Sequence, residues 1–137
     1  MTSVFRFVGR TLLVAAAIVS VGCSSQMEQQ RELELLADRR AEILSSGLPV
    51  SYGSLSIVRA QAKQNRVILE MLYADDSTLS AQALYQQAEK YYCSNSEIQT
   101  TLKQGLVYEI RIRNSRGQLT VNELISESTC NPSAPGS

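Results

Sequence analysis

The sequence predicts an α+β domain with an N-terminal helix, then a mostly antiparallel four-stranded sheet in β-β-α-α-β-β order, and one disulfide. Apolar residues recur at helical spacing near the start and in the middle of the chain, and they alternate with polar residues in two pairs of segments. The strand-like segments come in pairs instead of alternating strictly with helices, which favours a mostly antiparallel sheet. Of the three cysteines, Cys93 and Cys130 are the pair predicted to form the disulfide, for reasons given below.

The first helix is predicted from the segment Ser25–Glu28, which has the Ser-x-x-Glu form of a capping box. Helical spacing of apolar residues continues from there until Gly47 and Pro49, two residues that stop a helix. The predicted stripe contains Leu33, Leu36, Ile43 and Leu44, with Arg40 as its one polar member.

The first pair of strands is predicted over residues 55–62 and 67–73, and the second strand is rich in β-branched and large apolar residues. Residues 63–65 form a turn between them, so the pair is predicted to be an antiparallel hairpin. In the second strand, one face carries Val67, Leu69, Met71 and Tyr73, and the other carries Ile68, Glu70 and Leu72.

The second half of the chain is predicted to hold two helices and then a second pair of strands. The longer helix spans about residues 79–92 and follows residues 75–78, whose acidic and hydroxyl side chains suit a helix N-terminus. A short helix over 97–104 leads into strands over 106–113 and 119–125. The predicted apolar stripe of the longer helix consists of Leu84, Ala88 and either Tyr91 or Tyr92.

The N-terminal region has the organisation of a secretory signal, because Arg6 and Arg10 precede a short apolar run and small residues then lead to Cys23. The run from Thr11 to Val21 is about 11 residues long, whereas a membrane-spanning helix needs about 20. A cleaved signal is therefore favoured over a permanent membrane span.

The residues around Cys23 resemble the lipobox of bacterial lipoproteins, with the small Gly22 before the cysteine and Ser20 where leucine is most common. The resemblance implies cleavage before Cys23 and a covalent lipid on its thiol, and we expect no other cofactor. Because Ser24 is not aspartate, it also implies delivery by the lipoprotein sorting machinery to the outer membrane, with the domain facing the periplasm. An ordinary cleaved signal is the alternative.

Composition excludes several classes of function. Removing residues 1–22 leaves 115 residues with 11 basic and 13 acidic side chains, which argues against nucleic acid as the main partner. The sequence contains no histidine, so it lacks the commonest general base and the commonest metal ligand. Cys93 has no histidine to activate it as a nucleophile, and we predict that the protein is not an enzyme and has no catalytic or metal-binding residues.

Cys93 and Cys130 are the cysteines that remain if Cys23 carries a lipid. The predicted compartment is oxidising, which favours a disulfide between them over two free buried thiols. The closed loop would stabilise the fold by roughly 4 kcal/mol in the chain-entropy model.

Three apolar residues are candidates for partner binding, because they lie on strand faces opposite the main apolar sets: Ile68, Leu72 and Val107. They could line a groove for a helical or extended partner segment. The alternative is that the first helix covers them.

Charged and aromatic residues offer weaker candidate sites. Arg111, Arg113 and Arg116 suggest a basic patch, but a solvated strand face and turn explain them better. Asp75 and Asp76 lack the further ligands of a metal loop and are better explained as helix-capping residues.

A longer pattern resembles one known family. The segments Leu48–Val50 and Ile57–Gln61 open the folded part. From Cys93 to Ile112 the chain reads C-x4-I-x3-L-x2-G-L-x-Y-x-I-x-I, and a lone Cys130 follows. In order and spacing, residues 48–130 resemble type II secretion system pilotins of the AspS type, the beta class of GspS proteins.

The resemblance implies an α+β domain with a Cys93–Cys130 disulfide. Such pilotins bind a short C-terminal segment of the outer-membrane secretin subunit and promote its targeting and assembly there. The segment is disordered alone and helical when bound, and burial of one apolar stripe offsets the cost of ordering it. The predicted function is therefore that of an outer-membrane pilotin; the alternative is a periplasm-facing structural or inhibitory lipoprotein with a different protein partner.

These expectations divide the chain into four parts. Residues 1–22 are the lipoprotein signal peptide, and residues 23–47 are the lipid anchor and N-terminal helix. Residues 48–130 form the pilotin α+β domain, and residues 131–137 are a disordered tail.

Overall fold

The computed structural model of the protein describes residues 22–133. The helices are α1 (Gly22–Ser46), α2 (Ala81–Ser94), α3 (Ser96–Lys103) and α4 (Glu127–Cys130). The strands are β1 (Val50–Tyr52), β2 (Leu55–Lys63), β3 (Arg66–Tyr73), β4 (Val107–Arg113) and β5 (Leu119–Ile125). The predicted signal peptide apart from Gly22, and the last four residues of the predicted tail, lie outside the described residues.

The five strands form one mixed sheet in the order β1-β2-β3-β4-β5. The expectation of four mostly antiparallel strands is wrong in two respects, because β1 adds a fifth strand and β3 pairs with β4 in parallel. The chain between β3 and β4 contains both α2 and α3, and a long crossover of this kind is what parallel neighbours require. The β2–β3 pair is antiparallel, as predicted, and the β4–β5 pair is also antiparallel.

The predicted helix starts are partly wrong. α1 already includes Gly22, so the segment Ser25–Glu28 lies inside the helix and does not begin it. α2 is capped by Ser80, whose Oγ accepts a hydrogen bond from the Ala83 amide at 3.2 Å. Residues 75–78 therefore do not cap α2, and Asp75 instead accepts a hydrogen bond from the Ser115 hydroxyl.

α1 packs on the sheet through small side chains. Ala37 and Ala41 are buried, and their size lets the helix backbone approach the strands closely. The larger residues of the predicted stripe are half-buried except Ile43, which is 59% exposed.

The core lies on the sheet face that α1 and α2 cover. Alternation in β4 places Tyr108, Ile110 and Ile112 in this core, in agreement with the predicted pattern. Leu69 and Ile110 are register partners at the parallel β3–β4 junction, and both are almost completely buried. The helices thus pack along one face of the sheet, and the space between α1 and α2 lies over its central strands.

Candidate partner-binding groove

A cavity of about 650 Å³ lies between α1 and α2 above the sheet. Its floor is formed by Leu69, Met71 and Tyr108 of the central strands. One wall comes from the last turns of α1 and the chain that follows, which contribute Arg40, Ile43, Leu44 and Leu48. The opposite wall comes from α2, which contributes Leu84, Gln87, Ala88, Tyr91 and Tyr92. We call this cavity the groove.

The rim of the groove presents large side chains to solvent. Ile43 of α1, Tyr52 of β1 and Tyr91 of α2 are 59%, 66% and 60% exposed, and all three line the cavity. Concave, mostly apolar surfaces with a few polar groups are typical of binding sites. The groove is therefore suited to an elongated apolar ligand with an occasional polar side chain.

Tyr92 and Tyr108 contact each other at the bottom of the groove. The Tyr92 and Tyr108 rings meet edge to face with their centroids 4.9 Å apart, and both residues are buried. Burial raises the pKa of Tyr92 above its ordinary value, so this ring stays neutral. The sequence left open whether Tyr91 or Tyr92 belongs to the core; the structure places Tyr92 in the core and Tyr91 on the rim.

Arg40 brings a positive charge to the groove. Its Nε donates a hydrogen bond to the Tyr108 hydroxyl at 3.2 Å, and its Nη1 lies 2.6 Å from Glu97 Oε1. Burial works against the charged form of Arg40, but the interactions with Glu97 and Tyr108 outweigh it, and the pKa of Arg40 is raised. The guanidinium therefore remains charged.

The Cys93–Cys130 disulfide is present, with a Cα–Cα distance of 5.2 Å. It joins the last turn of α2 to α4, directly after β5. Because Tyr91 and Tyr92 immediately precede Cys93, the bond holds the end of the groove wall against the sheet.

The three sequence-predicted partner-binding residues do not line the groove. Ile68, Leu72 and Val107 lie on the sheet face opposite the core, away from α1. Ile68 is only 6% exposed, Val107 is half-buried and Leu72 is 39% exposed. The first helix covers the other face and not these residues.

A chain of ion pairs spans β3 and β4 on that same face. Glu109 is buried and pairs with Arg66 at 3.2 Å and with Arg111 at 2.7 Å. Glu70 pairs with Arg111 at 3.3 Å and with Arg113 at 3.0 Å. Arg111 and Arg113 are thus engaged in a cross-strand network and do not form an open basic patch.

The structure does not support a metal site at Asp75 and Asp76. Asp75 and Asp76 are exposed, and among the described residues no cluster of His, Cys, Asp and Glu could hold a metal ion.

Within residues 22–133, no helix is long and apolar enough to cross a membrane.

A family model of the type II secretion system pilotin, S protein, matches residues 29–130 of this chain. The chain therefore belongs to the type II secretion pilotin family, as the sequence pattern predicted, and this is a family of non-enzymatic adaptor proteins. The prediction that the chain is not an enzyme is confirmed by this membership.

Individual relatives agree with the family match. The solved structure of EpsS, the pilotin of the Vibrio vulnificus type 2 secretion system, is 40% identical, with a TM-score of 0.74. The match covers 77% of this chain and 98% of that chain. Pilotin AspS 2 of Escherichia coli strain H10407 and Lipoprotein YghG of Escherichia coli K12 are 23% and 22% identical over 122 residues, which is 88% of this chain and of each relative.

Sequence reasoning missed the groove because its walls come from elements that are distant along the chain. Tyr52 lies in β1, a three-residue strand that is too short to show alternation. A usable signal was present in α2. Its apolar and aromatic residues cover more of the helix surface than a narrow buried stripe would: Leu84, Ala88, Tyr91 and Tyr92.

Proposed function

We propose that this pilotin binds the C-terminal segment of a type II secretion secretin in the groove and promotes targeting and assembly of the secretin at the outer membrane. The observation that carries the proposal is the apolar groove with its exposed aromatic rim, in a chain that belongs to the pilotin family. An amphipathic helix lays one apolar face into such a groove. Arg40, Ile43 and Leu44 of α1 line the groove, and the helix rises about 9 Å from Arg40 to its last residue, Ser46, so the α1 wall offers nearly two helical turns of contact.

The proposal includes a location and a route. A lipid on Cys23 anchors the protein to the periplasmic face of the outer membrane, and the lipoprotein sorting machinery delivers it together with the bound secretin. The lipobox-like sequence at Gly22-Cys23 and the presence of Ser24 support this route. More than one acyl chain at Cys23 gives firm attachment.

The groove can be tested by filling it. Ala88 lines the groove on α2 and is half-buried, whereas Gln86 on the same helix is exposed and does not line it. We expect Ala88→Trp to weaken binding of a synthetic secretin C-terminal peptide by about tenfold or more, because the indole occupies the space of the peptide. Isothermal titration calorimetry of the lipidated protein in detergent measures this change.

Gln86→Trp is the matched control and should bind the peptide as the unmodified protein does. Equal binding by Ala88→Trp would exclude the groove as the site. If the unmodified protein does not bind the secretin peptide at all, the alternative of a lipoprotein with a different partner is favoured.

A further inference from the structure

One ion pair joins two helices whose residues line the groove. Arg40 belongs to α1, and Glu97 belongs to the first turn of α3. Of the described residues that line the groove, Arg40 is the one cation and Glu97 is the one anion. Their 2.6 Å contact therefore balances the charge of an otherwise neutral surface.

The two partners are buried to different degrees. The Arg40 side chain is 19% exposed and is held from below by the Tyr108 hydroxyl, whereas the Glu97 side chain is 72% exposed. An ion pair with one solvated partner stabilises a protein only weakly, because water competes for the exposed charge and screens the attraction. A carboxylate at the first turn of a helix is also stabilised by the helix dipole. Glu97 can therefore leave Arg40 at little cost, while Arg40 stays in place.

A ligand that covers Arg40 must leave it with an anion. Burying a charge without a partner is strongly unfavourable, so an apolar segment alone would bind poorly over this guanidinium. A guanidinium has five N–H donors, and the bonds to Tyr108 and Glu97 use only part of this capacity. Carboxylates are the natural partners because they accept two parallel hydrogen bonds from the fork of an arginine.

We propose that Arg40 recognises a carboxylate in the bound secretin segment, and that Glu97 occupies this position until the segment arrives. The inference rests on the proposed function of the groove and adds a determinant of specificity to it. Glu97 acts as an internal competitor, so the empty groove is neutral and an apolar segment without an acidic group is selected against.

The test compares variants with matched peptides. The probes are the secretin C-terminal peptide, the same peptide with each acidic side chain changed singly to its amide, and a version with an amidated C-terminus. The proteins are the lipidated chain and its Arg40→Gln, Glu97→Gln and Arg39→Gln variants, measured by calorimetry in detergent. Arg39 is the exposed neighbour of Arg40 on α1 and serves as the control.

We expect Arg40→Gln to weaken binding of the unmodified peptide by about tenfold or more, as loss of a charge-assisted pair does. One amide-bearing peptide should bind the unmodified protein equally weakly and lose nothing further with Arg40→Gln. The position of that amide identifies the carboxylate as a side chain or as the C-terminus. Glu97→Gln should strengthen binding severalfold because it removes the competitor, and Arg39→Gln should change nothing.

Other outcomes overturn the inference. If Arg40→Gln weakens every peptide equally, Arg40 only supports the wall of the groove. If Glu97→Gln leaves the affinity unchanged or lowers it, Glu97 does not compete with the ligand. If no peptide binds the unmodified protein, the groove function itself is wrong, a result distinct from binding that ignores Arg40.

Discussion

Glu109 shows how a single side chain can depend on its neighbours for its charge. It is a buried carboxylate on the sheet face opposite α1, and it pairs with Arg66 and Arg111. Burial opposes its ionised form, but the hydrogen bonds from Arg111 and Arg66 outweigh this effect. The pKa of Glu109 is therefore below its ordinary value. The ionised carboxylate is the form that stabilises the sheet.

We expect Glu109→Gln to lower the free energy of unfolding at neutral pH by about 1–3 kcal/mol, the usual contribution of buried hydrogen bonds to charged groups. A depressed pKa in the folded state gives stabilisation that is complete above the ordinary value of 4.5 and is lost as the pH falls below it. The difference from the unmodified protein should therefore shrink in acid. Urea denaturation at a series of pH values measures it.

Glu42→Gln, at an exposed position on α1, should have little effect at any pH and provides the control. A Glu109→Gln deficit that stays constant from neutral to acidic pH would contradict the proposed role of the charge.

The groove residues also show why single positions are hard to predict from sequence. Tyr91 and Tyr92 are adjacent and chemically identical, yet one is 60% exposed and the other is in the core. Ile43 fits the helical stripe of α1, yet it is 59% exposed and lines the groove, whereas Ala37 and Ala41 are buried against the sheet. Hydrophobic periodicity predicts which face of a helix is buried, but it does not predict how deeply each residue on that face is buried.

At the scale of elements, local patterns predicted most helices and strands within a few residues of their observed bounds. β4 is an example, since Tyr108, Ile110 and Ile112 alternate into the core, while the opposite face carries the half-buried Val107 and the buried, ion-paired Glu109. The direction of its pairing with β3 does not follow from alternation, which occurs in parallel and antiparallel strands alike. The signal for parallel pairing is the long helical connection between the two strands, and it applies only if they are neighbours in the sheet. β1 and α4, of three and four residues, are too short to give a periodic signal.

The disulfide is an element-scale constraint on the groove, because it fixes the end of α2 to α4 across 37 residues of sequence. We expect Cys93→Ala/Cys130→Ala to lose about 2–4 kcal/mol of unfolding free energy and to bind the secretin peptide more weakly. Chemical denaturation and calorimetry measure the two effects.

Reducing agent should lower the stability of the unmodified protein towards that of the double variant and should not affect the double variant. An equal response of both proteins to reduction would show that the measured loss does not come from this bond.

At the scale of the whole molecule, the proposed function assigns membrane targeting and secretin binding to different parts of the chain. Cys23, the proposed lipidation site, lies at the start of α1, whereas the groove begins at Arg40, near the other end of that helix. The two activities should therefore be separable by mutation.

We expect Cys23→Ser to leave the domain folded and able to bind the secretin peptide, but to leave the secretin undelivered. Membrane fractionation of cells that express the variant, with detection of secretin multimers in the outer membrane, measures delivery. Normal assembly of secretin multimers in the outer membrane of cells with Cys23→Ser would show that the lipid is not required for targeting. Mass measurement of the mature N-terminus checks directly whether Cys23 is modified.

The length of α1 has a mechanical consequence for the molecule. Every side chain from Ser24 to Glu32 is exposed, so the first part of this 25-residue helix extends beyond the sheet as a rod. Between Cys23 and Arg40 an α-helix rises about 25 Å. If Cys23 carries the proposed lipid, the rod would act as a spacer that holds the mouth of the groove at a set height above the bilayer. The proposed secretin segment would then have to reach that height.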